Sequence, residues 1–244
     1  YDPRTGQTLQ RHRFYVTTTG GMGLLGISLD PGFAENHFMY AYYALGGQTT
    51  EPLLFRLSRF TLNNDGQPDT TSEKVMLQVP VQKNSGSHHG GSMAWDKNGN
   101  LYLSTGDGTA PFPAEGYAPL DERPGPEHYS LDSQRGAGNT NDYKGKILRI
   151  HPEKDGTYTI PAGNLFPPGT DSTKPEIYIM GVRNPYRIAV NPVTSVLYWG
   201  DIGPDAGADS ERGPKGYDEF NQARKAGNFG WPYFVADNKP YLDY

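Results

Sequence analysis

His88, Asp107 and Arg183 are the residues of this sequence whose types could do chemistry together. Histidine changes charge near neutral pH, and the arginine guanidinium is a permanently charged, planar fork of donors. Beside a carboxylate, the three would make a site able to take up a proton and hold negative charge. Each type also has an ordinary structural use. A loop histidine bonds locally, an aspartate in Ser-Thr-Gly-Asp-Gly closes a strand with an Asx turn, and an arginine ties neighbouring segments together through carbonyls. His89 could share the role of His88, but alternation in an extended segment points it away, so it reads as structural or as a support for the site at one remove.

The case for a cluster rests on the elements that must position these residues. One pattern recurs: a small-residue turn, a short apolar strand, an Asp or Asn turn, and a second aromatic strand. It runs over Gly23 to Tyr43, Gly90 to Asp107 and Asn184 to Asp201, and each copy reads as a hairpin. The turn anchors Asp30, Asp96 and Asn191 are 66 and 95 residues apart. That spacing suits units of roughly 40 to 50 residues with insertions, and predicts one further unit between the last two anchors, supplied by Gly145–Pro152 and Gly156–Ile160. Four-stranded sheets repeated about an axis are a β-propeller, so the expected fold is an all-β propeller of four-stranded blades. A β-sandwich is the rival, but it does not predict a motif repeating along the chain. Counting back eight residues from each anchor gives Met22, His88 and Arg183, which therefore occupy equivalent loops at one end of the axis. The second strand of each hairpin returns to that end, bringing Asp107 and Asp201 with it. Asp201 fits a turn-closing role better than Asp107, because Gly203-Pro204 follows it.

Composition agrees and excludes other classes. The 31 Gly and 21 Pro argue against long helices, and 17 Tyr, 10 Phe and 3 Trp favour strands. With 22 basic and 27 acidic residues the net charge is −5, so no nucleic-acid footprint exists. There is no cysteine, hence no disulfide or thiolate zinc; nor is there a His-x-x-x-His pair, a Gly-x-Ser-x-Gly elbow or a phosphate loop. No apolar run approaches the roughly 20 residues of a membrane helix. The acidic run Asp201 to Glu211, with Asp218-Glu219, offers oxygen donors of the kind calcium prefers but lacks EF-hand spacing, and reads equally as a solvated loop. The chain reads as one domain over residues 1–244, cut from a longer precursor at both ends.

Seven ordered motifs give the chain a family likeness. They are Gly23 to Ala34, His88-His-Gly-Gly-Ser92, Leu101 to Asp107, Gly145-Lys-Ile-Leu-Arg149, Gly181-Val-Arg-Asn-Pro185, Gly203-Pro204, and Asp218-Glu219 followed by Lys225 to Pro232. From about Gly20 to Tyr241 the sequence resembles the glucose/sorbosone dehydrogenases, soluble six-bladed propeller enzymes that use pyrroloquinoline quinone (PQQ) and calcium. The resemblance implies that His88 is the general base that takes the proton of a sugar's C1 hydroxyl while the C1 hydride passes to the quinone. It implies that Asp107 orients the imidazole, that Arg183 and Asn184 hold the quinone oxygens, and that His88 also contacts the cofactor. It also assigns the Gly203 and Pro204 carbonyls to the quinone-bound calcium, and Glu219 with the Phe229 carbonyl to a second, structural calcium. The implied activity is oxidation of an aldose to its lactone in the periplasm or outside the cell, with electrons leaving to a separate acceptor such as a cytochrome.

The sequence departs from the family at Gly21, where characterised members carry glutamine, and at Ser92, where several carry arginine. It also ends before the segment that supplies further basic and aromatic cofactor contacts, so the expected ring is incomplete. A propeller module that binds a glycan or protein partner without catalysis is the alternative, and a calcium-dependent lactonase-type hydrolase is a third. Substrate choice would lie in loops such as Thr109 to Asn139.

Overall fold

A computed structural model of the chain describes residues 3–8, 12–50, 52–82, 87–110 and 119–242. The first blade is β1 (Leu24–Leu29), β2 (Phe38–Ala44), β3 (Leu53–Leu62) and β4 (Pro68–Val81), paired antiparallel in that order. Strand β2 shows why the sequence makes a blade. Its alternation sends Tyr40, Tyr42 and Ala44 into one apolar cluster and Met39, Ala41 and Tyr43 into another, so both faces are buried. The hairpin turn is built by Asp30, whose Oδ1 accepts from Gly32 N and Asn36 Nδ2, both at 2.8 Å. The other two anchors do the same work. Asp96 Oδ1 accepts from Asn98 N and Asn100 N, and Asn191 Oδ1 accepts from Val193 N and Thr194 N.

The second blade is β5 (Met93–Trp95), β6 (Leu101–Thr105), β7 (Lys146–Pro152) and β9 (Ile177–Met180), with the short β8 (Tyr158–Thr159) attached to β7. This corrects the expectation of a separate unit between Asp96 and Asn191. Gly145–Pro152 and Gly156–Ile160 belong to the same blade as Asp96, because β7 pairs with β6 from Leu101↔Ile150 to Thr105↔Lys146. The 95-residue gap comes from long connections between β6 and β7 and between β7 and β9. Lys146 anchors the first of these. Its ammonium is fully buried and donates to Gly136 O at 2.7 Å, Lys144 O at 2.8 Å and Ala137 O at 3.2 Å. Burial pushes that ammonium down to about 7 against the attraction of Asp142.

The third blade comprises β10 (Pro185–Val190), β11 (Leu197–Asp201) and β12 (Glu219–Ala223). The chain then returns to the second blade, where β13 (Gly227–Asn228) adds parallel to the edge of β9, and ends in the hairpin β14 (Phe234–Val235) and β15 (Lys239–Pro240).

The equivalent strands β1, β5 and β10 lie side by side. Trp95 Nε1 donates to Ser28 Oγ at 2.9 Å, and Ile188 N donates to Ser92 Oγ at 3.1 Å. Ser92, one of the departures, thus joins the second blade to the third. Apolar side chains fill both seams: Tyr42, Phe55, Leu57, Leu103 and Leu148 between the first and second blades, and Tyr102, Ile179, Ile188 and Trp199 between the second and third. The architecture is three consecutive blades of a β-propeller, an incomplete ring.

Candidate active site

Strand ends bring His88, Asp107 and Arg183 to one place. His88 sits in the loop before β5 with φ of 58°, in the left-handed region, and Gly90 and Gly91 follow with positive φ. The loop lies directly on the end of β6: Gly108 N donates to His88 O at 3.2 Å, and a Cβ at Gly106 would collide with that same carbonyl oxygen. Only glycine permits that approach. His88 Nδ1 then meets Asp107 Oδ1 at 2.9 Å, with both side chains buried.

Asp107 is surrounded by donors. Its Oδ1 also accepts from Thr109 N at 3.0 Å, while Oδ2 accepts from Thr109 Oγ1, Ser133 Oγ and Trp231 Nε1, each at 2.8 Å. Burial alone would push this carboxyl up. The charge and hydrogen bond of His88, the nearby Arg183 and the Thr109 N–H outweigh it and hold the group well below the usual carboxylate range. Asp107 is therefore ionised, and Nδ1 of His88 carries the proton that it donates. Nε2 takes no hydrogen bond from the described residues, which leaves its lone pair for another partner.

Arg183 occupies the equivalent loop before β10 and is buried. Its carbonyl accepts from Asp107 N at 2.8 Å, so the two loops are joined through the backbone. Its Nη1 donates to Ile202 O at 2.9 Å and Gly203 O at 2.7 Å, and its guanidinium lies 5.8 Å from the ring centre of Trp231. Met22, at the third equivalent position, is part of the core between the first two blades.

Asp201 does not close its strand with an Asx turn. Its buried carboxylate reaches the loop before β10, accepting Arg183 N at 3.1 Å and Asn184 N at 2.6 Å. Burial, with Glu219 and Asp107 nearby, pushes it up to about 7 even against those two N–H donors. Asn184 Oδ1 is buried without a hydrogen-bond partner, an orphaned polar atom beside Arg183 of the kind a bound ligand satisfies.

A cavity of about 460 Å³ opens beside these loops, lined by Thr109, Arg183, Pro204, Arg212, Trp231 and Tyr241 among others. His88 does not line it, but Thr109 and Trp231, two of Asp107's donors, do. A narrower cleft is lined together by Asp201, Gly203, Pro204, Glu219 and Phe229, so the candidate calcium residues share one neighbourhood. Asp201 and Glu219 are cross-strand partners there. No group of three or more His, Asp or Glu side chains able to hold a metal occurs among the described residues, so a cation at this cleft would rely on main-chain carbonyls. The donor set is hard oxygen, the ligand type calcium takes, and a cation would relieve the burial of Asp201 next to Glu219. Glu219 already accepts from Asn221 Nδ2 and Ala236 N, and Gly203 O from Arg183. For the quinone, the Arg183 charge at the cavity fits an anionic, oxygen-rich group.

His89 takes the structural place expected of it. Its ring is buried 4.8 Å from that of Phe55, with both nitrogens unpartnered. Burial, aided by His88, pushes it down to about 4. The folded state thus holds His89 neutral, while the unfolded chain takes up its proton near pH 6.5. Stability is lost as the pH falls from 6.5 toward 4, by about 3 kcal/mol for this group at 1.36 kcal/mol per unit. Denaturation of the His89→Phe variant should lack that part of the acid dependence, and an unchanged profile would refute the assignment.

Thr109, Ser133 and Trp231 join this site without having been singled out by the sequence. Thr109 carries a local signal, two residues after an aspartate. Ser133, 26 residues from Asp107, carries none; Trp231, 124 residues away, stands in the Lys225 to Pro232 motif, which does not disclose its partner. Of the Thr109 to Asn139 loop, residues 111–118 lie outside the described residues.

Comparison with known proteins places the chain. The glucose/sorbosone dehydrogenase family model matches residues 4–242. An aldose sugar dehydrogenase of Escherichia coli is 27% identical over 89% of this chain and 48% of its own length. Quinoprotein glucose dehydrogenase B of Acinetobacter calcoaceticus is 28% identical over 87% of this chain and 40% of its own. Among solved structures, an oxidoreductase described as a glucose dehydrogenase from Thermus thermophilus superposes with a TM-score of 0.66 at 27% identity, covering 95% of this chain and 58% of that one. The chain spans about half the length of these relatives. Fold, motif order and family match agree: this chain belongs to the glucose/sorbosone dehydrogenase family.

Proposed function

We propose that this chain carries the base-bearing part of the active centre of a PQQ- and calcium-dependent aldose dehydrogenase, working in the periplasm or outside the cell and passing electrons to a separate acceptor. The observation that carries the reading is the buried His88–Asp107 pair, with Nδ1 held at 2.9 Å and Nε2 left for a substrate. The names of the two curated relatives, an aldose sugar dehydrogenase and a quinoprotein, support the substrate class and the cofactor. Among the described residues no helix is long and apolar enough to cross a membrane.

When bound, the calcium-polarised quinone supplies the two-electron acceptor that no side chain of the protein provides. The residues of the chain supply the rest. His88 Nε2 takes the proton from the C1 hydroxyl of the sugar, as a positioned general base. Asp107 keeps Nδ1 protonated, so that Nε2 is the basic nitrogen, and stabilises the imidazolium once it forms. Arg183 and Asn184 offer a charge and an amide to the cofactor oxygens. The Gly203 and Pro204 carbonyls would hold one calcium ion, and Glu219 with the Phe229 carbonyl a second, with Asp201 adding charge at the same cleft.

The test is to add PQQ and calcium to the protein and follow quinone absorbance and aldose-dependent dye reduction. Saturable quinone binding with sugar-dependent reduction is expected. Absence of both would overturn the proposal. Quinone-independent binding of a glycan or a protein would instead favour a recognition module, a reading to which Arg183 lends support because its Nη1 is engaged by two main-chain carbonyls.

A further inference from the structure

We propose that Trp231 is a positioning residue for the His88–Asp107 pair, its indole N–H fixing the carboxylate oxygen that His88 does not touch. The inference rests on the reading of His88 as the base and extends it to a residue 124 positions from Asp107 in the chain.

The geometry divides the Asp107 carboxylate into two halves. Oδ1 serves His88 and the Thr109 N–H; Oδ2 takes Thr109 Oγ1, Ser133 Oγ and Trp231 Nε1 at 2.8 Å each. The two hydroxyls can rotate and serve other acceptors. The indole N–H cannot, since its direction is set by the ring. The ring is held from several sides. Trp231 N donates to Gly181 O at 3.0 Å, in the segment that leads to Arg183. Tyr241 packs edge-on at 5.7 Å, the Arg183 guanidinium lies 5.8 Å from the ring, and the side chain is buried. Trp231 also lines the cavity beside Arg183. One ring therefore touches both the carboxylate that sets the tautomer of His88 and the space where a ligand would sit.

Removing this donor concentrates negative charge on the carboxylate beside His88 and so favours the imidazolium. The charged and titratable groups around the pair are His89 from its own loop, Lys146 from β7, Arg183 from the loop before β10 and Asp201 from β11. All remain in the Trp231→Phe variant, which keeps an aromatic ring and loses the N–H.

The experiment is an NMR titration of the His88 ring nitrogens in the unaltered chain and in Trp231→Phe, Ser133→Ala and Tyr241→Phe. The His88 midpoint should rise by about 0.5 to 1 pH unit in Trp231→Phe, and in the same direction in Ser133→Ala, each having lost one donor to Oδ2. Tyr241→Phe, which removes an unpartnered hydroxyl beside the ring and leaves the donor set intact, should leave it in place. In the unaltered chain the Trp231 indole proton should shift as His88 titrates, a readout that stands even where Trp231→Phe does not fold. An unmoved midpoint in both donor-removing variants, an indole proton blind to the titration, or an equal shift in Tyr241→Phe would overturn the proposal. None of these measurements needs quinone or sugar. A relay that behaves as stated in a protein lacking aldose-dependent quinone reduction would refute the dehydrogenase reading alone.

Discussion

Asp107→Asn is expected to lower both turnover and stability, and the reason is the donor arrangement around its two oxygens. An amide must place its NH₂ on one side. Facing Trp231, it would set donor against a donor that cannot rotate. Facing His88, it would donate to Nδ1 and drive the ring proton to Nε2, the nitrogen that must accept. That arrangement opposes the fixed Thr109 N–H as the first opposes the Trp231 N–H, but there the imidazole can answer by changing tautomer, which leaves the base with its proton on the wrong nitrogen. Turnover should fall by roughly 10²- to 10⁴-fold, the range contributed by a positioned acid or base. Losing a fully buried, charge-paired carboxylate should cost about 3 kcal/mol in chemical denaturation near neutral pH. The sign of the pH dependence follows from the direction of the shift. Asp107 is held below its ordinary value of 3.8, so its stabilisation is complete above that pH and is lost as the pH falls through the lowered value. The stability gap between the unaltered chain and Asp107→Asn should therefore narrow below about pH 4.

His88→Asn should separate chemistry from folding. An asparagine amide can still donate to Asp107 Oδ1, so the carboxylate stays paired and stability should change by no more than about 1 kcal/mol. No group then remains to take the proton of the sugar hydroxyl, and turnover should fall by roughly 10³-fold. Quinone affinity should be kept, because Arg183 and Asn184, assigned to the quinone oxygens, are untouched. The contrast between the two variants is the informative result: large losses in both properties for Asp107→Asn, a loss in turnover alone for His88→Asn. Comparable destabilisation in the two would mean that the pair is structural.

What the sequence discloses here is what short-range chemistry dictates. Asp30, Asp96 and Asn191 each build their turn from donors a few residues away, so three hairpins and the equivalence of the His88 and Arg183 loops can be read directly. The boundaries between blades cannot. Asp155 builds the turn from β7 to β8 in the same way, but that hairpin stays within the second blade, and the long connections around it make the spacing between Asp96 and Asn191 suggest an extra unit. The same limit holds within the site. Asp107 is legible through its place after a repeated strand and through its family motif, but Ser133 and Trp231 reach it only by tertiary folding. For Asp201, the following Gly203-Pro204 suggests a turn; its carboxylate instead holds the N–H groups of Arg183 and Asn184, across the hairpin. Ser92, a departure from relatives in the sequence, has a plain use as the acceptor that joins two inner strands.

Proton uptake by His88 as the sugar is oxidised is the step on which every role assigned to this site depends. It is tested by single-turnover reduction of the quinone in protein loaded with PQQ and calcium, using an aldose with hydrogen or deuterium at C1, in the unaltered chain and in His88→Asn. A primary isotope effect is expected in the unaltered chain, and a reduction rate roughly 10³-fold lower in the variant at equal quinone occupancy. Equal rates in the two proteins would show that His88 is not the base.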